Sequence, residues 1–253
     1  WLTDASRSYP VVLDPIITPV HDTFTINDRT VTERGERSVY WGCNAVGVES
    51  SYGKERTFIK FNNLPALTSA DVVVESKIAF NTAAVNYPMP VEAHQVYGTW
   101  ASDSVTWSNC PSWNTLVEDY VEVNSSGNYM WDVTNIVQQW YATGQNTGIL
   151  FKAPASVESS ATEKYVQFYS GDYSSYLAPV LEISYVNNCG LESCWDCTSH
   201  GAGRAGTGYI NDYTGNLVWV LDGLGFDWNR MPVSIHHIYN TNDKDNNSFG
   251  QGY

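Results

Sequence analysis

The sequence predicts an all-β protein: a jelly-roll β-sandwich with one short helix, followed by a C-terminal β-hairpin and strand segment. Three observations carry that reading. Short runs of alternating polar and apolar residues recur along the chain, and Gly, Asn, Pro and Ser clusters separate them. Helical spacing of apolar residues occurs in a single stretch. The third observation is composition. Of 253 residues, 14% are aromatic, with 10 Trp and 17 Tyr, while only 16% are charged. Aromatic-rich, lysine-poor chains of this kind suit strands that pack face to face.

The elements follow in order. Residues 9–19 (YPVVLDPIITP) hold three prolines, which exclude a central strand or a helix. Residues 1–20 therefore read either as the tail of a preceding domain with a stiff linker or as an edge strand. From 21 to 186 the alternating runs dominate, at 56–61 (RTFIKF), 71–80 (DVVVESKIAF) and 91–97 (VEAHQVY). They continue at 148–153 (GILFKA), 164–169 (KYVQFY) and 179–185 (PVLEISY). The exception is 132–144. There Val133, Ile136, Val137 and Trp140 fall on one helical face, with Asp132 as the expected N-cap and Gly144 as the stop. A helix over 132–142 would lay that stripe on the core. Residues 187–207 are rich in Gly, Asn, Ser and Thr and read as a linker. Residues 208–253 hold further strands, the first two joined across Thr214-Gly-Asn216.

Charge narrows the function. Net charge is -14, from 27 acidic and 13 basic residues. That balance disfavours nucleic acid and anionic lipid, which need Lys and Arg. No run is long enough to span a membrane. Without an initiating Met or a signal sequence, the chain reads as a processed or excised piece of a longer extracellular protein. Catalytic motifs such as a Gly-x-Ser-x-Gly elbow or a His-Glu-x-x-His pair are absent, and the chain is expected to be non-catalytic.

Binding chemistry is expected on strand faces. Sugars need flat rings for their C–H faces and polar groups at the rim. Alternation puts Arg56, Phe58 and Lys60 on one face, Glu92 and His94 on another, and Tyr165, Gln167 and Tyr169 on a third. If these coincide, Arg56, Lys60, His94, Tyr165 and Gln167 line one ligand strip, with Trp41 or Trp113 as the stacking platform. The competing expectation is a solvated sheet face. Trp100 and Trp107 suit packing of their loop better than ligand contact.

Two metal readings arise. Carboxylates near the two ends of the sandwich, Asp22 and Asp172, are the candidates for one structural calcium, against the alternative that both serve turns. Cys189, Cys194, Cys197 and His200 have the ligand types for zinc, but all four crowd into one short stretch. Disulfide pairing, with Cys43 and Cys110 as further partners, and free thiols are the rival readings.

Two resemblances complete the reading. Residues 21–26 (HDTFTI), 55–65 (ERTFIKFNNLP), 104–111 (SVTWSNCP), 132–140 (DVTNIVQQW) and 166–173 (VQFYSGDY) occur in the order seen in DNRLRE domains, which they resemble. That likeness covers roughly 20 to 186 and implies a carbohydrate-binding-module-like sandwich on a bacterial surface or secreted protein. Residues 208–219 (GYINDYTGNLVW), 231–240 (MPVSIHHIYN) and 249–253 (FGQGY) resemble the opening segment of RHS/YD-repeat proteins. Together they imply an extracellular or cell-wall glycan-binding module, with a glycan and a downstream RHS shell as partners. A structural spacer presenting that shell is the alternative.

Overall fold

A computed structural model describes residues 26–35, 42–67, 71–174, 176–187, 197–212, 215–228, 231–243, 246–247 and 250–251. Two compact units emerge, one built on Pro15–Pro65 with Val73–Ser184 and the other mainly on Tyr185–Tyr253. The expected linker or edge strand over 1–20 lies outside the described residues, as do Asp22, Trp41, Cys189 and Cys194.

The first unit is an antiparallel sheet curled into two layers. Its strands are β1 (Ile26–Thr32), β2 (Cys43–Glu49), β3 (Gly53–Phe61), β4 (Asp71–Val85), β5 (Met89–Tyr97) and β6 (Ser112–Trp113). β7 (Asp119–Val123), β8 (Asn128–Asp132), β9 (Ile149–Lys152), β10 (Lys164–Tyr169) and β11 (Val180–Asn187) complete it. The order is β11-β4-β10-β2-β3-β9-β5-β6, with β1 on β3, β7 on β5 and β8 on β4.

Two places turn this sheet into a sandwich. The first is Gly47 in β2, with φ at 130°. A Cβ there would sit 2.1 Å from the Lys164 carbonyl oxygen, so only glycine lets β2 pass between β10 and β3. Beyond Gly47, no strand among the described residues pairs the far side of β2 at Ala45. The Thr30 hydroxyl accepts from the Ala45 N–H at 2.9 Å and the Thr57 hydroxyl donates to its carbonyl at 2.9 Å. Buried backbone groups need such partners, and threonines projecting from β1 and β3 supply them. The second place is the β7–β8 connection, where β7 pairs with β5 in one layer and β8 with β4 in the other.

Between the layers lies an aromatic core. Phe80, Trp131, Phe151 and Phe168 are each at most 1% exposed, and their ring centroids are 4.9 to 5.8 Å apart. Most of the pairs meet edge to face, the arrangement aromatic quadrupoles prefer.

The expected helix is α1 (Thr134–Thr143), with Ile136, Val137 and Trp140 buried and Gly144 closing it in the left-handed conformation. Its start differs from expectation. Asp132 ends β8 and Val133 occupies the N-cap position. The Asp132 carboxylate still accepts from the Thr134 N–H at 2.9 Å and the Thr134 hydroxyl at 2.6 Å. A one-turn α2 (Ala155–Glu158) was not expected, because one turn leaves no apolar period to read. Among the described residues no helix is long and apolar enough to cross a membrane.

The second unit holds β12 (Cys197–Gly201), β13 (Thr207–Asn211), β14 (Leu217–Trp228) and β15 (Met231–Asn240) in one antiparallel sheet. β16 (Asn246–Asn247) and β17 (Gly250–Gln251) form a separate small pair. The strand pairing predicted across residues 214–216 is β13 against β14. Cys197–Gly201, inside the stretch expected as linker, is a strand because a 3-10 turn at Gly203–Ala205 returns the chain to pair with β13.

Trp131 gives a direct check on the core. It is fully buried and its indole N–H donates to the Val91 carbonyl at 2.8 Å. Trp131→Phe should cost about 2–4 kcal/mol, the sum of lost packing and an orphaned carbonyl. Urea unfolding of the variant and the parent measures it.

Candidate functional site

The outer face of the layer β1–β3–β9–β5 carries most of the predicted ligand residues. Register places Phe58 opposite Leu150 and Leu150 opposite His94. Arg56, Phe58 and Lys60 therefore share a face with Glu92, His94, Leu150 and Lys152, as alternation requires. Trp113 joins them through its pairing with Val96. Four of the seven predicted ligand residues, Arg56, Lys60, His94 and Trp113, are thus on one face.

That face is roofed. The segment 98–114 folds over it and buries Trp100 and Val105 against Phe58, Val96, Leu150 and Val31. The Trp100 ring lies 5.6 Å from that of Phe58, and its N–H donates to the Thr147 carbonyl at 2.9 Å. Gly148, at φ 81°, is required below it, since a Cβ would sit 2.7 Å from the Ile59 carbonyl and 3.0 Å from the indole nitrogen.

Arg56 pins the roof from beneath. Its guanidinium lies 4.5 Å from the Trp107 ring centroid and 4.8 Å from that of Trp113. It also donates two 2.7 Å hydrogen bonds to Glu158 of α2. Both side chains are almost enclosed, at 13% and 8% exposure. Cys110 packs against the same cluster, and burial raises its thiol pKa despite nearby Arg56. Arg56 and Trp113 are bracing here, and a ligand would have to displace the roof to reach the guanidinium.

His94 is likewise engaged. Its Nδ1–H faces the Asn114 and Leu116 carbonyls at 2.8 and 3.2 Å, and its Nε2 lies 3.3 Å from Glu92. Glu92 accepts from the Lys152 ammonium at 2.8 Å. Burial pushes the Glu92 carboxyl upward, but Lys152 and then His94 outweigh it and hold the group below the ordinary glutamate range. The cluster ties the loop after β6 to the sheet.

Tyr165 and Gln167 belong elsewhere. On β10 their alternates Val166 and Phe168 point into the core, so the two face outward from the other layer. The single strip expected from sequence is therefore split between opposite faces, because β2 bends at Gly47 and folds the sheet over. Trp41 lies outside the described residues.

Part of each expected metal set, Asp22 for calcium and Cys189 and Cys194 for zinc, lies outside the described residues. Asp172 is exposed in the turn after β10, where it adds its charge to buried Asp28. Asp28 has its pKa raised by burial, and its oxygens already accept from Asn44, Ser170 and the Gly171 N–H. Among the described residues no three of His, Cys, Asp and Glu stand together. Cys197 and His200, three apart on β12, leave opposite faces of the strand. Cys110 and Cys197 are free thiols.

Two open concavities flank the roof. One of about 250 Å³ runs between β1 and the loop at 105–108, with Arg29, Glu33 and Trp107 in its lining. Glu33 is paired there with Lys54 at 2.9 Å. The other, of about 380 Å³, lies between the turn after β3 and the end of α1. Lys60, Asn62, Asn63, Trp140, Tyr141 and Asn146 line it. Of these, sequence singled out Lys60 as a ligand residue and Trp140 as core. The Asn-Asn-Leu-Pro turn at 62–65 was a readable signal, but its meeting with the helix was not.

Two measurements check this description. Glu158→Gln strips Arg56 of its counter-charge in a nearly dry setting and should cost about 3 kcal/mol. Altered tryptophan fluorescence would accompany it as Trp107 and Trp113 loosen. The second concerns pH. A depressed folded-state pKa at Glu92 gives stability that is present above the unfolded value and lost as pH falls through the folded one. The melting-temperature gap between the parent and Glu92→Gln should therefore be full at pH 6 and close progressively below about pH 4.

Comparison with known proteins assigns this sandwich. No curated protein matches the chain. The family model of carbohydrate-binding module family 96 matches residues 16–185, about two thirds of the sequence and the span of the curled sheet. The chain belongs to carbohydrate-binding module family 96.

Proposed function

We propose that this chain is a non-catalytic, glycan-binding and adhesion module of a secreted or cell-surface bacterial protein. The chemistry of its concave surface supports the reading most. The larger cleft is lined by amides, aromatic rings and one lysine. Those groups recognise hydroxyls and C–H faces, and they lack the carboxylate pair that glycoside hydrolysis normally uses. The smaller cleft has one carboxylate in its lining, and Lys54 neutralises it.

The strand pattern from Thr207 to Asn240 supports a further part of the proposal, that the C-terminal unit opens an RHS-type shell. A calcium held by Asp22 and Asp172 belongs to the same proposal. Chelation by EDTA should then lower the melting temperature, and unchanged melting would remove the ion.

Screening the intact chain on an array of neutral and acidic oligosaccharides separates a binder from a spacer. Retention of at least one glycan class is expected. A chain that binds none, even at millimolar sugar, is a spacer. Overnight incubation with the retained glycan should release no new reducing ends, and their appearance would make the module an enzyme.

A further inference from the structure

We infer that the second unit carries a sugar-stacking platform of its own. The indole of Trp219, laid flat on the sheet β12–β13–β14–β15, takes a neutral glycan chain whose pyranose rings hold their hydroxyls equatorially. The platform lies beyond residues 16–185, the span matched by the family model, so this surface and the clefts of the sandwich stand or fall separately.

Register builds the surface. His200 on β12 faces Gly208 on β13, Gly208 faces Trp219 on β14, and Trp219 faces Tyr239 on β15. Residues directly opposite share a face, so this row crosses all four strands on one side of the sheet, about 14 Å in three strand spacings. Two residues along, Thr198, Ile210 and Leu217 continue the face at one end, and Leu221 with His237 at the other.

Glycine sets the ring down. A Cβ on Gly208 would stand 2.9 Å from both Cε3 and Cζ3 of Trp219, and one on Gly206 would stand 2.9 Å from its Nε1. Both edges of the indole therefore rest on the same stretch of backbone, and the ring lies along it instead of standing up from the sheet. Gly208 has no left-handed φ, and the atoms nearest its missing Cβ are ring carbons of Trp219. Glycine there makes room for the indole and answers no need of the backbone. The indole N–H donates to the Ala205 carbonyl at 2.7 Å, which fixes the ring in its plane. Trp219 is nevertheless only half-buried. With one face on the strand, the part left exposed is the face turned away from the sheet.

The surroundings choose the ligand. Because its N–H is engaged, the ring offers a face alone, and an indole face attracts C–H bonds through its quadrupole. Equatorial hydroxyls leave the C–H faces of a pyranose bare, whereas an axial hydroxyl lifts the sugar off the ring. Since the indole is already immobile, binding does not have to order it. Polar groups stand at the rim. His200 and His237 are exposed and have no hydrogen-bond or ion-pair partner among the described residues. A neutral imidazole donates from one nitrogen and accepts at the other, as a hydroxyl partner must. Charge points the same way. Among the described residues of this face the only carboxylate is that of Asp212, which accepts from the Thr198 hydroxyl at 2.9 and 3.1 Å. In a chain with 27 acidic and 13 basic residues, a cation finds no free carboxylate here and a polyanion meets the field of the whole molecule. An uncharged chain escapes both.

The test uses the intact chain, with cellohexaose and xylohexaose as matching probes and mannohexaose, whose 2-hydroxyls are axial, as the mismatched one. Calorimetry gives affinity, and the Trp219 indole N–H signal, identified by its loss in Trp219→Leu, reports contact. That signal should shift with cellohexaose or xylohexaose and move less with mannohexaose. Trp219→Leu should weaken the binding about fivefold or more, and Trp219→Tyr, which keeps a flat ring, should recover part of it. Trp219 also packs the strand, so a double variant, His200→Ala with His237→Ala, removes only exposed side chains. It should hold the melting temperature and weaken binding about twofold or more. A Trp219 signal unmoved by both matching probes overturns the platform and leaves the sandwich's own glycan binding standing. Unchanged affinity in Trp219→Leu and in the double variant does the same. An equal response to mannohexaose overturns the equatorial selection. A signal that shifts with protein concentration in the absence of sugar, together with a doubled mass in light scattering, makes the face a contact between copies and overturns the site.

Discussion

Arg56 is the residue on which the rest of the roofed face depends. Its guanidinium is held edge-on by Glu158 through two 2.7 Å hydrogen bonds and covered by the rings of Trp107 and Trp113. Three stretches far apart in sequence meet there: β3, the long loop after β5 together with the short strand Ser112–Trp113 that ends it, and the single turn of α2. Arginine suits this junction because its planar group can accept rings on its faces while its edge satisfies a carboxylate. With that junction closed, the loop lies flat, Trp100 seals Phe58, and Lys60 is left at the margin where the larger cleft begins.

The two-layer curl explains why surface and core divide as they do. Gly47 lets one strand serve both layers, and Thr30 and Thr57 hydroxyls satisfy the backbone that the bend leaves without a strand. Trp131 then fastens the opposite end, reaching across to the Val91 carbonyl. Because both ends are tied, the aromatic core has little freedom to breathe. Concavity is displaced to the rims, where loops and the helix end meet the strands. Recognition chemistry collects at such rims because rigid strands fix the position of otherwise adaptable side chains.

Charge is distributed unevenly between the chain and its larger cleft. An excess of 14 negative charges is spread over the chain, yet the larger cleft contains one lysine and no carboxylate. Long-range repulsion would slow the approach of polyanions, while a neutral glycan feels none of it.

Sequence by itself determined the periodic features. Alternation located the main strands, the i, i+3, i+4, i+7 stripe located α1, and Gly144 marked its end, because these follow from local backbone geometry. Alternation also placed Arg56 with Lys60 and Glu92 with His94 correctly, since a strand's face is a local property. Only tertiary structure decided what those faces meet. Nothing local to Arg56 announces Glu158, which is 102 residues away, and nothing in Tyr165 or Gln167 reveals that a bend at Gly47 carries them to the opposite layer. The larger cleft was illegible for the same reason. Trp140 reads as core, and that reading holds, but its proximity to Asn63 arises from strand order and helix docking. Long-range pairing is fixed by the packing of the whole core, and no window of sequence contains it.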